Sequence, residues 1–393
     1  MTKRIFPVFL LILLFAGGAV LAVYSQAAAR GDVNGDGSIN IVDALMTAQY
    51  SVGLIPAGFN VSAADVNCDS TVNIIDALRI AQFYVGLVTT LECSSNPTRT
   101  PTPGPTTPTG TQYTGNSTWF SGIGGTHYGG CGVAQANLDS QDHVALNVQN
   151  SPGDYATFLS RPIAPQYADK IGMFNNGLNC GRWVRVTIGD YCNGINDGAE
   201  NEPFCRGGTG WTPDAYNGAV LDMVVGDSCH DGNAWCRDDP YHLDLSRDSL
   251  NKFVKDGKPV GDMDPEHFNN RQIHWQFIEA PNYTGDIRIA FIKDAQPYWP
   301  VIAITHLKNG LHGVDYFDGN GWVKGTMNSD MGNTYLVGAT SVIDGVPGNE
   351  YRIRVYDAAD QLINDGRVYK FSFPSGCGTG CPDPFNEVTY TVE

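Results

Sequence analysis

Two acidic stretches of this 393-residue chain repeat each other. The first, GDVNGDGSINIVDALMTAQYSVGL, runs from Gly31 to Leu54; the second, ADVNCDSTVNIIDALRIAQFYVGL, runs from Ala64 to Leu87. Asp32, Asn34, Asp36, Asn40 and Asp43 in the first match Asp65, Asn67, Asp69, Asn73 and Asp76 in the second. In each copy the oxygen-bearing side chains fall at loop positions 1, 3, 5, 9 and 12, and position 7 (Ser38, Thr71) offers its backbone carbonyl. A hard cation needs six or more oxygens, and short Asp and Asn side chains at alternate positions can converge on one. The chemistry is Ca²⁺ coordination, one ion per loop and two in all. Gly37 permits the sharp turn at position 6, whereas Ser70 takes that place in the second copy. The alternative is a pair of Asx-rich turns without metal.

The spacing is that of an EF-hand loop, with two departures. Position 12 is Asp rather than Glu, and one helical pattern follows each loop, in VDALMTAQYSVGL and IDALRIAQFYVGL. Residues 31–92 therefore resemble a type I dockerin, the duplicated module that plugs enzymes into cohesin-bearing scaffolds. The resemblance implies a cohesin module of a scaffoldin as partner. It implies a contact surface of Ile41, Val42, Ala48 and Gln49, repeated as Ile74, Ile75, Ala81 and Gln82, which would allow two orientations related by a half-turn. Cys68 and Cys93 are a candidate staple for so small a domain.

A second set of chemical groups lies further on. GGTHYGGCG (Gly124–Gly132) places Thr126 and Tyr128 between glycines; VVGDSCHDG puts Asp227 at the end of an apolar run; YHLDLSRDSLNKF sets Asp244 between two leucines, followed by a short helix capped by Ser246. Flanked so, Asp244 points away from the face the leucines bury. His230 and His242 read as surface residues. In this order the pieces resemble the first domain of expansins, a six-stranded double-psi β-barrel related to a family of endoglucanases. The resemblance implies a polysaccharide groove of Thr126, Tyr128, Asp227 and Asp244. Cys229 stands where bacterial members often carry an aromatic. Hydrolysis would need two carboxyl groups ~5–5.5 Å or ~6.5–9.5 Å apart. Asp244 is the candidate general acid, with Asp227 or Asp231 (or Asp238, Asp239) as base. No carboxylate near the GGTHYGG segment supplies the lytic relatives' base, and Asp139 is the next one along. The expectation is non-hydrolytic loosening of glucan; the alternatives are a β-1,4-glucan endoglucanase and a purely carbohydrate-binding targeting module.

The third set is aromatic. In KDAQPYWPVIAITHLKNG, Tyr298 and Trp299 fall between Pro297 and Pro300, with Lys293 nearby. Expansins bind cellulose through such a pair on a β-sandwich domain. A flat exposed ring covers the axial C–H groups of a pyranose and loses few rotamers in doing so. Met331 or Gly332 occupies the place of a third aromatic, Tyr316 or Tyr335 are substitutes for it, and Trp322 reads as a buried sandwich residue.

These groups require elements to hold them. Short β-type runs (HVALNV, RWVRVTIGD, GAVLDMVVGD), then IRIAFIKD, WPVIAITHL, YFDGNGWVKG, NTYLVGAT, YRIRVYDA and VYKFSF, are separated by Gly and Asp turns. The fold class is mainly β: a double-psi barrel over 117–281, an Ig-like sandwich over 282–393, and a small helical Ca-binding dockerin over 30–93. A Pro/Thr-rich segment, 94–116, is an extended linker. Residues 1–29 have the basic start, apolar run and small residues of a signal peptide, so the expected location is extracellular, with no membrane attachment after cleavage. Ten cysteines fit that compartment, and Cys377 and Cys381 are close enough for a local disulfide. A net charge of −17 argues against nucleic acid. Cellulose and related plant-wall glucans are the expected ligands.

Overall fold

Each acidic loop runs into a helix, α1 (Ile41–Ser51) and α3 (Ile74–Tyr84), which pack on one another; the single turn α2 (Val61–Ala64) falls between them in sequence. Both begin alike. The Asn40 side chain accepts from Val42 N while Asp43 accepts from Asn40 N, and Asn73, Ile75 and Asp76 repeat the arrangement. This reciprocal cap satisfies donors that a helix start leaves open. The core beneath is small: Val33, Ala44, Ala63, Ala64, Val66, Ile80 and Leu91. The computed structural model describes residues 29–67, 72–86, 88, 90–91, 110–124, 128–230, 234–267, 271–343 and 346–393. The chain divides into two compact units, Met1–Asn96 and Pro97–Glu393.

The second unit is all strand and loop apart from single helical turns. Its first nine strands are β1 (Gln112–Phe120), β2 (His143–Asn147), β3 (Trp183–Ile195), β4 (Arg206–Thr212), β5 (Val220–Cys229), β6 (Leu243–Ser246), β7 (Val254–Lys255), β8 (Lys258–Pro259) and β9 (Arg271–Ile278). Six of them close a ring of pairings, β3-β9-β1-β6-β2-β5 and back to β3, in which β1–β6 and β2–β5 run parallel. Inside the ring lie Val144, Leu146, Val184, Val186, Leu243, Leu245, Trp275 and Phe277. Alternation turns Asp244 out of that core, between buried Leu243 and Leu245, as its sequence setting requires. β1 starts at Gln112, inside the stretch assigned to the linker.

Outside the ring, β3 and β4 extend as an arm closed by Cys192–Cys205. The arm is tied back by Asp214, whose two oxygens take both terminal nitrogens of Arg271 at 2.6 and 2.8 Å. Ser246 precedes a 3₁₀ segment, Arg247–Lys252, but makes no side-chain cap; its hydroxyl pairs with Ser249 instead.

The remaining strands are β10 (Arg288–Phe291), β11 (Val301–Thr305), β12 (Gly313–Phe317), β13 (Trp322–Lys324), β14 (Thr326–Met327), β15 (Thr334–Leu336), β16 (Val342–Ile343), β17 (Val346–Pro347), β18 (Glu350–Tyr356), β19 (Tyr369–Ser372), β20 (Asn386–Glu387) and β21 (Thr391–Val392). Ten of them form two five-stranded sheets, β14-β15-β11-β10-β20 and β13-β12-β18-β19-β21, and β16 and β17 pair as a separate hairpin. One core that includes Phe291, Ile302, Ile304, Tyr351, Ile353 and Phe371 joins the sheets. Trp322 departs from expectation: it lies on the outer sheet edge, 36% exposed, with Arg354 over its ring. Tyr335 is buried in the core.

Four disulfides join the described cysteines: Cys131–Cys180, Cys192–Cys205, Cys229–Cys236 and Cys377–Cys381. Cys68 and Cys93 lie outside the described residues.

Candidate functional site

The first loop is organised around its own backbone. Asp32 accepts from Asp36 N and Gly37 N, Asn34 from Asp36 N, and Asp36 from Ser38 N. Asp43, fully buried, accepts from Val33 N and Asn34 N on one oxygen and Asn40 N on the other. No ion pair to Asp32, Asp36 or Asp43 occurs among the described residues. Acidic oxygens gathered without a cationic side chain suit a hard cation. The three carboxylates are not drawn within 4.8 Å of one another; the set fits Ca²⁺ by donor type and loop order. In the second loop Asp76 repeats the contacts of Asp43, to Val66 N, Asn67 N and Asn73 N. Asp65 and Asn67 stand in place, while Asp69 and Thr71 lie outside the described residues.

Beside the loops, Ile41, Val42, Ile74 and Ile75 are exposed, and Ala48, Gln49, Ala81 and Gln82 are partly so. Leu45 and Leu78 are also exposed, one turn along each helix. Sequence reasoning missed that pair, although their equivalence in the repeat was visible.

On the ring, register does what sequence distance hides. Thr118 pairs with Asp244, Asp244 with Ala145, and Ala145 with Asp227. Paired residues share a face, so the two aspartates stand in one row with an alanine between them. Two strand steps put their Cα atoms roughly 10 Å apart. Thr118 donates to Asp244, and its oxygen lies 2.9 Å from His242 Nε2. His242 is fully buried, contrary to the surface reading, and its ring stacks near Trp235. Burial pushes the Asp244 carboxyl up; the His242 ring 3.8 Å away and the Thr118 hydroxyl outweigh it and hold the group below its ordinary value. A general acid is usually tuned in the opposite direction, upward. Asp227 is the raised carboxyl: burial dominates, against hydrogen bonds from Gly130 N at 2.6 Å and Ser228 N at 2.8 Å.

The other candidate bases have structural duties. Asp239 holds Asn116, and Asp238 holds Tyr155 and Gly153 N. Asp139 takes His306 N on both oxygens and so fastens ring to sandwich. Asp231 and Thr126 lie outside the described residues. Cys229 and Cys236 come within 4.8 Å of Asp244, yet they are joined in a disulfide and cannot ligate a metal as thiolates.

Asp227 faces a cleft of about 490 Å³ between ring and sandwich, lined also by Tyr128, Arg161, Ser228, Ser329, Asp330 and Met331. Arg161 crosses it, bonding Ser228 Oγ at 2.8 Å and Asp330 at 2.7 Å. Neither Arg161 nor Asp330 carried any motif signal. Tyr128 leans on the sandwich core and its hydroxyl accepts from Lys293 N at 2.7 Å. Beyond Lys293 the chain makes a tight turn, Gln296–Trp299, that presents Tyr298 and Trp299, 58% and 39% exposed. Of the proposed third aromatics, Tyr335 is excluded by burial and Tyr316 is partly buried; Met331 lies in the cleft instead.

Residues 30–83 match the dockerin type I domain family model, so the first unit holds a type I dockerin domain. No curated protein matches the chain. Among solved structures, the chain is similar to an expansin from Clavibacter michiganensis. An Asp-to-Asn variant of that expansin in complex with cellohexaose aligns with a TM-score of 0.40 and 15% identity over 72% of this chain and 96% of its own. The apo form gives 0.41 and 14% over the same shares. A Streptomyces papain inhibitor gives 0.22 and 22% identity, over 44% of this chain and 98% of its own. Among the described residues no helix is long and apolar enough to cross a membrane.

Proposed function

We propose that this chain is a secreted, cellulosome-associated, expansin-like protein that binds cellulose and loosens it without cutting chains. In this reading residues 1–29 are the export signal and 94–116 the tether. The six-stranded ring is a double-psi barrel, the two-sheet domain is Ig-like, and the dockerin holds two Ca²⁺ ions and plugs into a cohesin. Asp32, Asn34, Asp36, Ser38, Asn40 and Asp43 would hold one ion. Asp65, Asn67, Asp69, Thr71, Asn73 and Asp76 would hold the other. Bound Ca²⁺ would supply charge neutralisation and cross-linking of each loop, with no part in any reaction.

The observation that supports the reading is a set of groups on one unit suited to a sugar: Asp227 and Arg161 line the cleft, Tyr128 of the same cleft accepts from Lys293 N, and Tyr298 and Trp299, a few residues on, stand exposed. The rings bury the flat face of a glucan, and the cleft groups offer acceptors and donors to its hydroxyls. Interchain contacts in glucan are small terms, each hydrogen bond worth ~0.5–1.5 kcal/mol net in water, so competing groups can displace them one at a time. The test is extension of a plant-wall strip under load by the whole protein. Creep without sugar release supports the reading, and adsorption without creep reduces the protein to a targeting module.

The endoglucanase reading is favoured by one observation, the split between a raised Asp227 and a lowered Asp244, which is how acid and base are usually divided. That pairing would make Asp227 the acid, opposite to the sequence assignment.

A further inference from the structure

Phe158 is 57% exposed, on a segment with no site assigned to it. Its backbone is nonetheless fixed on both sides. Thr157 N donates to Asp154, Arg237 bonds Thr157 O, and Leu159, buried, donates to Gln149. One side of the ring rests on His230, with centroids 4.3 Å apart and planes tilted 33°. His230 is itself held, Nε2 to Leu159 O at 3.1 Å. Burial, then the charge of Arg161, holds the His230 pKa below its ordinary value. Three residues on, Arg161 enters the cleft; His230 follows Ser228, which lines it. An apolar ring kept in water by an ordered loop, beside a polar cleft, is the chemistry that recognises one face of a sugar.

We propose that Phe158 is an aromatic subsite for a neutral pyranose ring, extending the glycan track past Arg161 as Tyr298 and Trp299 extend it past Lys293. Charge selects the neutral class. The cleft lining carries two carboxylates, Asp227 and Asp330, and its one cation, Arg161, is already paired with Asp330. A polyuronate would meet net negative charge there. The inference rests on the polysaccharide-binding reading given above.

The experiment is calorimetric titration of the full chain with cellohexaose. Phe158→Ala should weaken binding about three- to tenfold, Phe158→Trp should restore it, and a galacturonic acid hexamer should bind more weakly than cellohexaose. If Asp227→Asn weakens cellohexaose and Phe158→Ala stays within twofold of wild type, the subsite is wrong while the general reading stands. If the wild-type protein binds neither cellohexaose nor cellulose, both are wrong. Tighter binding of the uronate hexamer would overturn the neutral class.

Discussion

The dockerin loops and the aspartate row of the ring are both acidic, yet opposite forces build them. In the first loop the oxygens are neighbours in sequence, folded over their own N–H groups, above a core of small residues. In the row, Thr118, Ala145, Asp227 and Asp244 come from four strands and stand on a core that includes Trp275, Phe253 and Phe277. The first gathers carboxylates for which no ion pair occurs among the described residues, a set that suits a cation. The second disperses charge, giving each carboxylate a hydroxyl, a ring or backbone N–H groups of its own. A site of the first kind should depend on an ion for its fold, and one of the second kind on its core.

Chelation sharpens that contrast most. EDTA should abolish cohesin capture by the full chain and melt the α1–α3 helices, while cellulose adsorption persists; equal loss of both activities would break the comparison. Next in size is Asp214→Ala. Arg271 is only 2% exposed, and removing its partner leaves a buried charge, at a cost of about 3–5 kcal/mol. Urea unfolding should show the loss in the ring's transition, with calcium-dependent cohesin capture intact. Trp299→Ala follows, weakening adsorption to cellulose about tenfold, as read from depletion isotherms.

The acid limb gives a smaller and signed effect. Burial opposes ionisation of Asp214, but Arg271 and His267 hold its carboxyl down to about 2. A depressed carboxyl stabilises the fold above its unfolded value near pH 3.9, and the contribution disappears as pH falls toward about 2. Asp227 is raised, so its contribution is full below pH ~3.9 and is lost as pH climbs through the raised value. Thermal melts across pH should show an Asp227→Asn variant without that second slope.

The same contrast governs what could be read from residues alone. The acidic repeat and its two helices are periodic and local, so the dockerin was legible from sequence; the reciprocal caps of Asn40 and Asp43, read only as ligands, were not. The strands were legible as runs, and Asp244 was rightly turned from the core by its flanking leucines. The row was not, because strand register decides which distant residues share a face. His242 was misplaced for the same reason: its cover comes from Trp235 and Thr118, which no local pattern connects. Trp322 failed in the other direction, since a two-sheet domain has edges that composition does not mark. Arg161 and Asp330 meet only because ring and sandwich meet.

The most direct test of the central claim is reducing-sugar release from soluble and amorphous β-glucan by the full chain, alongside Asp227→Asn and Asp244→Asn, with adsorption to cellulose measured on the same samples. The account predicts adsorption with no release from any of the three. Release by the wild-type protein that disappears in either variant would make it a glucanase and contradict the account.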